Sequence, residues 1–200
     1  MLKDIDVRKS EEIKYIKKER DFYRLISNKN EYLSSKVVLN APVFECSELF
    51  LDEDIKNYYK KFEFYDQSAF VIYLKIESKK EFLNHYQIIL KDTIPNGVSK
   101  SFFVSFSHKD DKKLSKNGYS VTISFHTKAL FWSNLSKDEY ERKKEFTKNF
   151  IIDELLKNIS DIKKEDIKIA FSATSKTFKR YINPDYAIGK FQSKQIYYKI

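Results

Sequence analysis

"SAFVIYLKI", residues 68–76, is an almost unbroken run of aliphatic, aromatic and β-branched side chains. Such a run suits a strand in the middle of a sheet, covered on both faces. Its apolar centre is far too short to cross a bilayer. Strands are predicted on either side of it along the chain. "HYQIIL" (85–90) and "SFFVSFS" (101–107) are separated by the turn signal "PNG" (95–97), and "KNG" (116–118) announces a further hairpin-type turn. In "YSVTISFHT" (119–127) the alternation is strict, with Tyr119, Val121, Ile123 and Phe125 on one side and Ser120, Thr122, Ser124 and His126 on the other. That pattern predicts a half-buried strand with one polar face. "DIKIAFSAT" (166–174) reads as the last strand.

Between and before these strands the periodicity changes. In "LDEDIKNYYKKFEF" (51–64), Asp52 is a fair N-cap, and Ile55, Tyr58, Tyr59 and Phe62 recur on one helical face. Ser136 and Glu139 form an S-x-x-E capping box for a helix running to about Ile159. Its apolar stripe is Tyr140, Thr147, Ile151, Leu155 and Ile159, widened by Phe146 and Phe150. Glu141, Glu145, Asp153 and Glu154 match its basic residues, which argues for packing on the sheet and against a membrane-surface helix. The segment 11–43 sets short apolar pairs among polar residues, with "SNKNE" (27–31) as turn chemistry. It predicts a hairpin followed by a buried strand, "KVVLNAP" (36–42), ended by Pro42. The expected fold class is α+β: a mixed, largely antiparallel sheet packed with two or three helices, in a single domain over residues 1–200.

The chain has 200 residues, a formal net charge of +9 and one cysteine, Cys46. That length can bury a core without staples. A lone cysteine allows no intrachain disulfide, and the N-terminus shows no apolar signal region, so a cytoplasmic location is expected. The positive charge is compatible with peripheral contact at an anionic membrane. Specific nucleic-acid binding is disfavoured, because the excess is dispersed lysine and arginine appears only at positions 8, 20, 24, 142 and 180.

A search for reactive constellations is mostly negative. Gly97, Gly118 and Gly189 are scattered, so neither G-x-G-x-x-G nor a P-loop exists to cradle phosphates. His85, His108 and His126 follow no metal-ligand spacing, and no metal site is expected. Cys46 lacks a local histidine partner and reads as a small buried thiol. Asp110 and Asp111 in "SHKDD" (107–111) read as a solvated turn. The aromatic clusters Tyr58/Tyr59, Phe102/Phe103/Phe106 and Phe131/Trp132 read first as core, and alternatively as the wall of an apolar pocket. No side chain carries a catalytic assignment.

Order along the chain carries more. "LSSKVVLNAPVFECSELF" (33–50) resembles the "ADxVVxNA" return strand of phytoene desaturase-like flavoproteins, and Ser68, Ala69, Phe70, Tyr73 and Leu74 match that family's following strand. "NHYQIIL" (84–90) is similar to its "HHxI" strand through His85 and Ile88. "FVSFSHKDDKKLSKNGYSVTI" (103–123) resembles its "PS-x-x-D-P-x-x-A-P-x-G" passage, keeping an aspartate and Gly118 but neither proline. Trp132, Leu135, Tyr140 and Lys144 match its "W-x-x-L-x-x-x-x-Y-x-x-x-K" helix entry. "ATSKTFKRYINPDYAIG" (173–189) is similar to "ATPxTxxRYTxNPxGAxxG" at Thr174, Thr177, Arg180, Tyr181, Asn183, Pro184 and Ala187, with Ser175 in place of a proline and Tyr186 in place of a glycine. These matches fall in one order across residues 33–191.

The resemblance implies carotenoid desaturases, isomerases and related saturases, which use FAD on polyene or similar apolar substrates. It covers the substrate-binding region and lacks the family's N-terminal dinucleotide motif. It implies a substrate-binding portion, a fragment or split-gene product that is inactive alone and is completed by a second polypeptide carrying the flavin domain. FAD would then be bound only in the completed assembly. Phe70, Tyr73, Phe125 and Trp132 are the expected walls of an apolar substrate slot of carotenoid or retinoid type. Asn40, Ala41 and Pro42 are expected nearest the flavin. The alternative is a stand-alone, non-enzymatic α+β domain that binds an apolar ligand or a partner protein.

Overall fold

The computed structural model describes residues 5–41, 46–60, 63–111, 113–114, 117–182 and 189–190. The chain divides into two compact units, residues 1–63 with 189–200 and residues 64–188.

In the first unit, β1 (Ile13–Lys18), β2 (Tyr23–Ser27) and β3 (Glu31–Ser34) form an antiparallel meander in that order. Two short helices follow, α1 (Cys46–Leu49) and α2 (Glu53–Lys60). Asp52, expected as an N-cap, uses its carboxylate to accept the Lys18 N–H at 2.8 Å, and the Leu51 N–H donates to the Ile16 carbonyl. Ile16, at 1% exposure, and Phe50 centre this unit's packing. The buried strand expected over 36–42 is not found: residues 36–41 join no ladder, and Val38 is 93% exposed. A strand needs a neighbour to bond its N–H and C=O groups. Among the described residues β3 pairs with β2 alone, and this segment does not take up its other edge. Pro42 and Phe62 lie outside the described residues.

The meander is fastened to the chain before it by one carboxylate. Glu11 accepts hydrogen bonds from the Ser27 hydroxyl, the Tyr32 hydroxyl at 2.7 Å and the Asn30 amide at 3.0 Å, while Arg8 donates to Tyr32 at 2.8 Å. Those bonds, the one from Ser27 foremost, pull the Glu11 carboxyl from 4.5 down to about 2. A carboxyl depressed on folding stabilises the folded form above its unfolded value, and that contribution fades as pH falls from about 4.5 through about 2. Hydrogen exchange at Glu12 and Asn28 should therefore accelerate in that window. Glu11→Gln should remove the pH dependence; a variant that retains it would assign the effect to another group.

In the second unit, β5 (Ser68–Ile76), β6 (His85–Ile89), β7 (Ser101–Phe106), β8 (Tyr119–Thr127) and β9 (Ile167–Ala173) make one sheet in the order β6-β7-β8-β5-β9, every pairing antiparallel. The two-residue strands β4 (Glu63–Phe64) and β10 (Gly189–Lys190) form a separate two-stranded sheet. Helix α3 (Ala129–Ser133) follows β8, the long α4 (Lys137–Asn158) leads to a 3-10 turn (Lys164–Asp166) before β9, and α5 (Ser175–Ile182) follows β9. This is the expected α+β fold with a largely antiparallel sheet.

One face of the sheet holds the core. Phe70, Ile72, Leu74 and Ile76 of β5, Phe102, Val104 and Phe106 of β7, and the odd-numbered residues of β8 pack against Trp132, Tyr140, Ile151 and Leu155. The capping box forms as expected, the Ser136 hydroxyl accepting the Glu139 N–H at 3.4 Å and donating to its carboxylate at 2.9 Å. Phe150 packs against the core, but Phe146 is 59% exposed and lies outside the stripe. The "PNG" turn puts Asn96 at φ 60°, and the Gly97 N–H closes onto the Ile94 carbonyl at 2.9 Å.

Candidate functional site

The four residues expected to wall a slot fall on two different faces. Phe70, Phe125 and Trp132 are enclosed at 0%, 3% and 0% exposure. Phe70 stacks on Phe125 with centroids 5.1 Å apart and meets Trp132 at 5.4 Å. The indole N–H donates to the Thr127 hydroxyl at 2.8 Å, so even its polar edge is used internally. Tyr73 points the other way, as the period of two along β5 requires, and is 36% exposed. Of the residues expected near a flavin, Asn40 and Ala41 are exposed in the irregular segment after β3.

The outward face of the sheet is partly uncovered: Tyr73 is exposed, while Val71 and Ala173 on the same face are buried. Cross-strand register aligns Ser105, Thr122, Tyr73 and Phe171 in one row, and Phe103, Ser124, Val71 and Ala173 in the next. Tyr73 stacks on Phe171 at 5.0 Å. Phe103, Ile169 and Phe171 are 48%, 55% and 55% exposed, although each belongs to a strand whose other face is core. Sheets of this size normally show water a polar second face. Here Phe103, Ile169 and Phe171 add exposed apolar surface to that polar face. The strand sequences carried a signal for this. In "IKIAFSA" (167–173) the small residues Ala170 and Ser172 face inward and the large Ile169 and Phe171 face outward.

Two clefts lie elsewhere. In the first unit, Tyr23, Val37, Leu39, Phe50, Ile55 and Tyr58 are among the residues lining about 600 Å³. Tyr59 also lines it, and burial raises its phenol pKa, with Cys46 and Tyr58 acting in the same direction. In the second unit a polar cleft of about 570 Å³ lies between Glu77–Lys79, Lys109 and Asn117–Tyr119. The Asp111 carboxylate beside it accepts the N–H groups of Lys113 and Leu114, an Asx turn. Among the described residues no group of three or more His, Cys, Asp and Glu side chains is placed to hold a metal.

Of the residues whose order resembles the flavoprotein family, Trp132, Tyr140, Thr174 and Thr177 come together at one corner. Tyr140 Oη lies 3.0 Å from Thr174 Oγ1 and 3.2 Å from Thr177 Oγ1. Thr177 Oγ1 accepts the Thr174 N–H at 3.2 Å, and the Thr174 carbonyl accepts from Thr177 and Phe178, closing the first turn of α5. The Ser175 hydroxyl donates to the Ala129 carbonyl at 3.1 Å. Ser175 opens the helix, a position where the family pattern's proline would equally suit. Trp132 meets Tyr140 edge-on at 6.1 Å. Each hydroxyl is engaged within the protein, so the corner orders the turn from β9 into α5 and has no group poised for proton transfer. Asn183, Pro184 and Ala187 lie outside the described residues.

No protein-family model matches the chain. Among curated proteins it is similar to prolycopene isomerases 1 and 2, chloroplastic, of an Oncidium hybrid cultivar. Each is 28% identical over 179 residues, which take in 80% of this chain and 29% of the relative. The chain thus spans less than a third of the length of these curated relatives. Among solved structures it is similar to cyclohexylamine oxidase from Brevibacterium oxydans IH-35A, with a TM-score of 0.47, 10% identity and coverage of 86% of this chain and 35% of that one. It is also similar to the CLA-producing fatty acid isomerase from P. acnes, with a TM-score of 0.41, 13% identity and coverage of 88% and 38%. The sequence similarity to a carotenoid-type isomerase agrees with the motif order: the chain is similar to the phytoene desaturase-like FAD-dependent oxidoreductases. Among the described residues no helix is long and apolar enough to cross a membrane.

Proposed function

We propose that this chain is the substrate-binding portion of an FAD-dependent oxidoreductase acting on a carotenoid- or retinoid-like substrate, and that it is inactive alone. The observation that carries the reading is the outward sheet face: Tyr73, Phe103 and Phe171 stand exposed opposite a filled core, in a chain similar to prolycopene isomerases. These three rings are the substrate wall. Phe70, Phe125 and Trp132 stiffen the sheet from behind, and Asn40 and Ala41 belong to the segment nearest the flavin.

The flavin itself does not fit the described residues. A pyrophosphate needs glycines whose missing side chains leave room beside a helix N-terminus. At Gly97 that room is taken by the Phe125 ring at 3.1 Å and the Ile94 Cβ at 3.2 Å, and at Gly118 by the Ile76 carbonyl oxygen at 2.0 Å. The protein's own packing uses both spaces. FAD is therefore assigned to a dinucleotide-binding part outside these residues, and this chain's contribution is apolar contact and orientation.

A flavin titration tests the division of labour. The folded chain alone should bind no FAD, while a mixture with a polypeptide carrying G-x-G-x-x-G should bind it and reduce it when substrate is added. Tight binding by the chain alone would overturn the assignment. A folded chain silent in both arms would favour the second reading, a stand-alone module using the same exposed rings for an apolar ligand or a partner protein.

A further inference from the structure

Down the centre of the outward face the side chains change character. The outward residues of β8, the middle strand of the five, are Ser120, Thr122, Ser124 and His126. Register sets Phe103 of β7 beside Ser124 and Tyr73 of β5 beside Thr122. Short hydroxyl side chains between taller rings make a trough floored by β8. Neighbouring strands are about 4.8 Å apart, so the two flanking backbones stand roughly 10 Å from each other, and alternate positions from 120 to 126 run for about 20 Å. That width admits a single extended chain; an α-helix, about 10–12 Å across with its side chains, is too wide.

The floor selects among extended chains. The Ser120 hydroxyl already donates to the Leu114 carbonyl at 2.8 Å. Thr122 and Ser124 have no side-chain hydrogen bond to any described residue, so their hydroxyls are bonded by water until something covers them. A bare hydrocarbon would remove that water and return no bond, weakening binding by about tenfold for each hydroxyl stripped. An oxygen on the ligand, as alcohol or ketone, restores the bond, because serine and threonine both donate and accept. Resting on the substrate-wall reading above, we infer that the trough takes an elongated apolar chain bearing an alcohol or ketone oxygen over β8, in preference to an unsubstituted hydrocarbon.

Calorimetric titration of the full chain with farnesol and with farnesene, from the same carrier, tests this. Farnesol should bind about tenfold more tightly or better. The double variant Thr122→Val/Ser124→Ala, both changes on an outward strand face, should erase the difference chiefly by strengthening farnesene, which no longer strips water from unanswered hydroxyls. Tyr73→Ala and Phe103→Ala should weaken both ligands. Equal affinities in the parent chain, still lowered by Tyr73→Ala, would overturn the oxygen preference and keep the wall. Binding of neither ligand, or binding indifferent to Tyr73 and Phe103, would overturn the wall and the inference with it. A dimer by sedimentation that Phe103→Ser dissociates would make the occupant a second copy, also overturning the inference.

Discussion

Trp132→Ala is expected to lower stability by about 3–5 kcal/mol, a fall in melting temperature of roughly 10 °C. The indole is fully enclosed and meets Phe70 at 5.4 Å, Phe131 at 5.0 Å and Tyr140 at 6.1 Å. Alanine would leave a cavity bounded by β5, α3 and the start of α4, elements held by different segments and unable to collapse together. The Thr127 hydroxyl would lose the indole donor but keep its own bond to the Asn96 carbonyl at 2.7 Å, so packing accounts for most of the loss. Tyr73→Ala, three residues along β5 from Phe125's partner Phe70 and on the opposite face, makes the contrast. Its ring lies on the open side, and removal should cost under about 1 kcal/mol while weakening apolar ligands. Urea unfolding followed by circular dichroism, with ligand titration on the same samples, separates the two. A Trp132→Ala protein of parental stability would show that the core side is not where the sheet draws its strength.

How much of this was legible depended on whether a segment's environment could be inferred from its own residues. The alternation over 119–127 and the capping box at Ser136 were, because a half-buried strand and a helix start are local patterns. "SAFVIYLKI" was legible as a strand and not in its surroundings. Its run predicts cover on both faces, yet Tyr73 is exposed where Phe70, Ile72 and Leu74 are buried. A continuous apolar strand leads to an expectation of cover on both faces, and the run alone does not reveal that one of them carries an exposed ring. The same limit bears on the residues expected to wall a slot. Phe70, Phe125 and Trp132 were grouped with Tyr73 by aromatic character, while the period of two puts Phe70 and Tyr73 on opposite sides. Phe103 was grouped with Phe102 and Phe106, although the same period of two sets it on the opposite face from them. The segment 36–42 failed for a non-local reason, since a strand's existence depends on an edge supplied elsewhere. The family resemblance located residues without explaining them; at Trp132, Tyr140, Thr174 and Thr177 the matched positions prove to be one packed, hydrogen-bonded corner.

Gly118→Ala should be as damaging, by about 4 kcal/mol, and the reason is backbone. The turn from β7 into β8 places Asn117 at φ 60° and Gly118 at φ 146°. Asparagine tolerates the first conformation; only glycine adopts the second without strain. A Cβ at 118 would also stand 2.0 Å from the Ile76 carbonyl oxygen and 2.8 Å from the Glu77 Cα, neither of which is a side chain able to swing away. Relief requires β5 and β8 to part at Ile76 and Tyr119, the pair that starts their nine-residue ladder. Gly97→Ala is the control. There the new methyl meets the Phe125 ring at 3.1 Å and the Ile94 Cβ and carbonyl oxygen at 3.2 Å, contacts that a shift of tenths of an ångström relieves, so a loss of about 1–2 kcal/mol is expected. Thermal unfolding of both variants checks the order, and equal losses would mean that the Gly118 clash is relieved by the turn alone. Because β5 and β8 carry the core on one side and Tyr73 and Thr122 on the other, opening this end of the ladder should reduce ligand binding together with stability. Trp132→Ala, which leaves the ladder's hydrogen bonds in place, should separate the two.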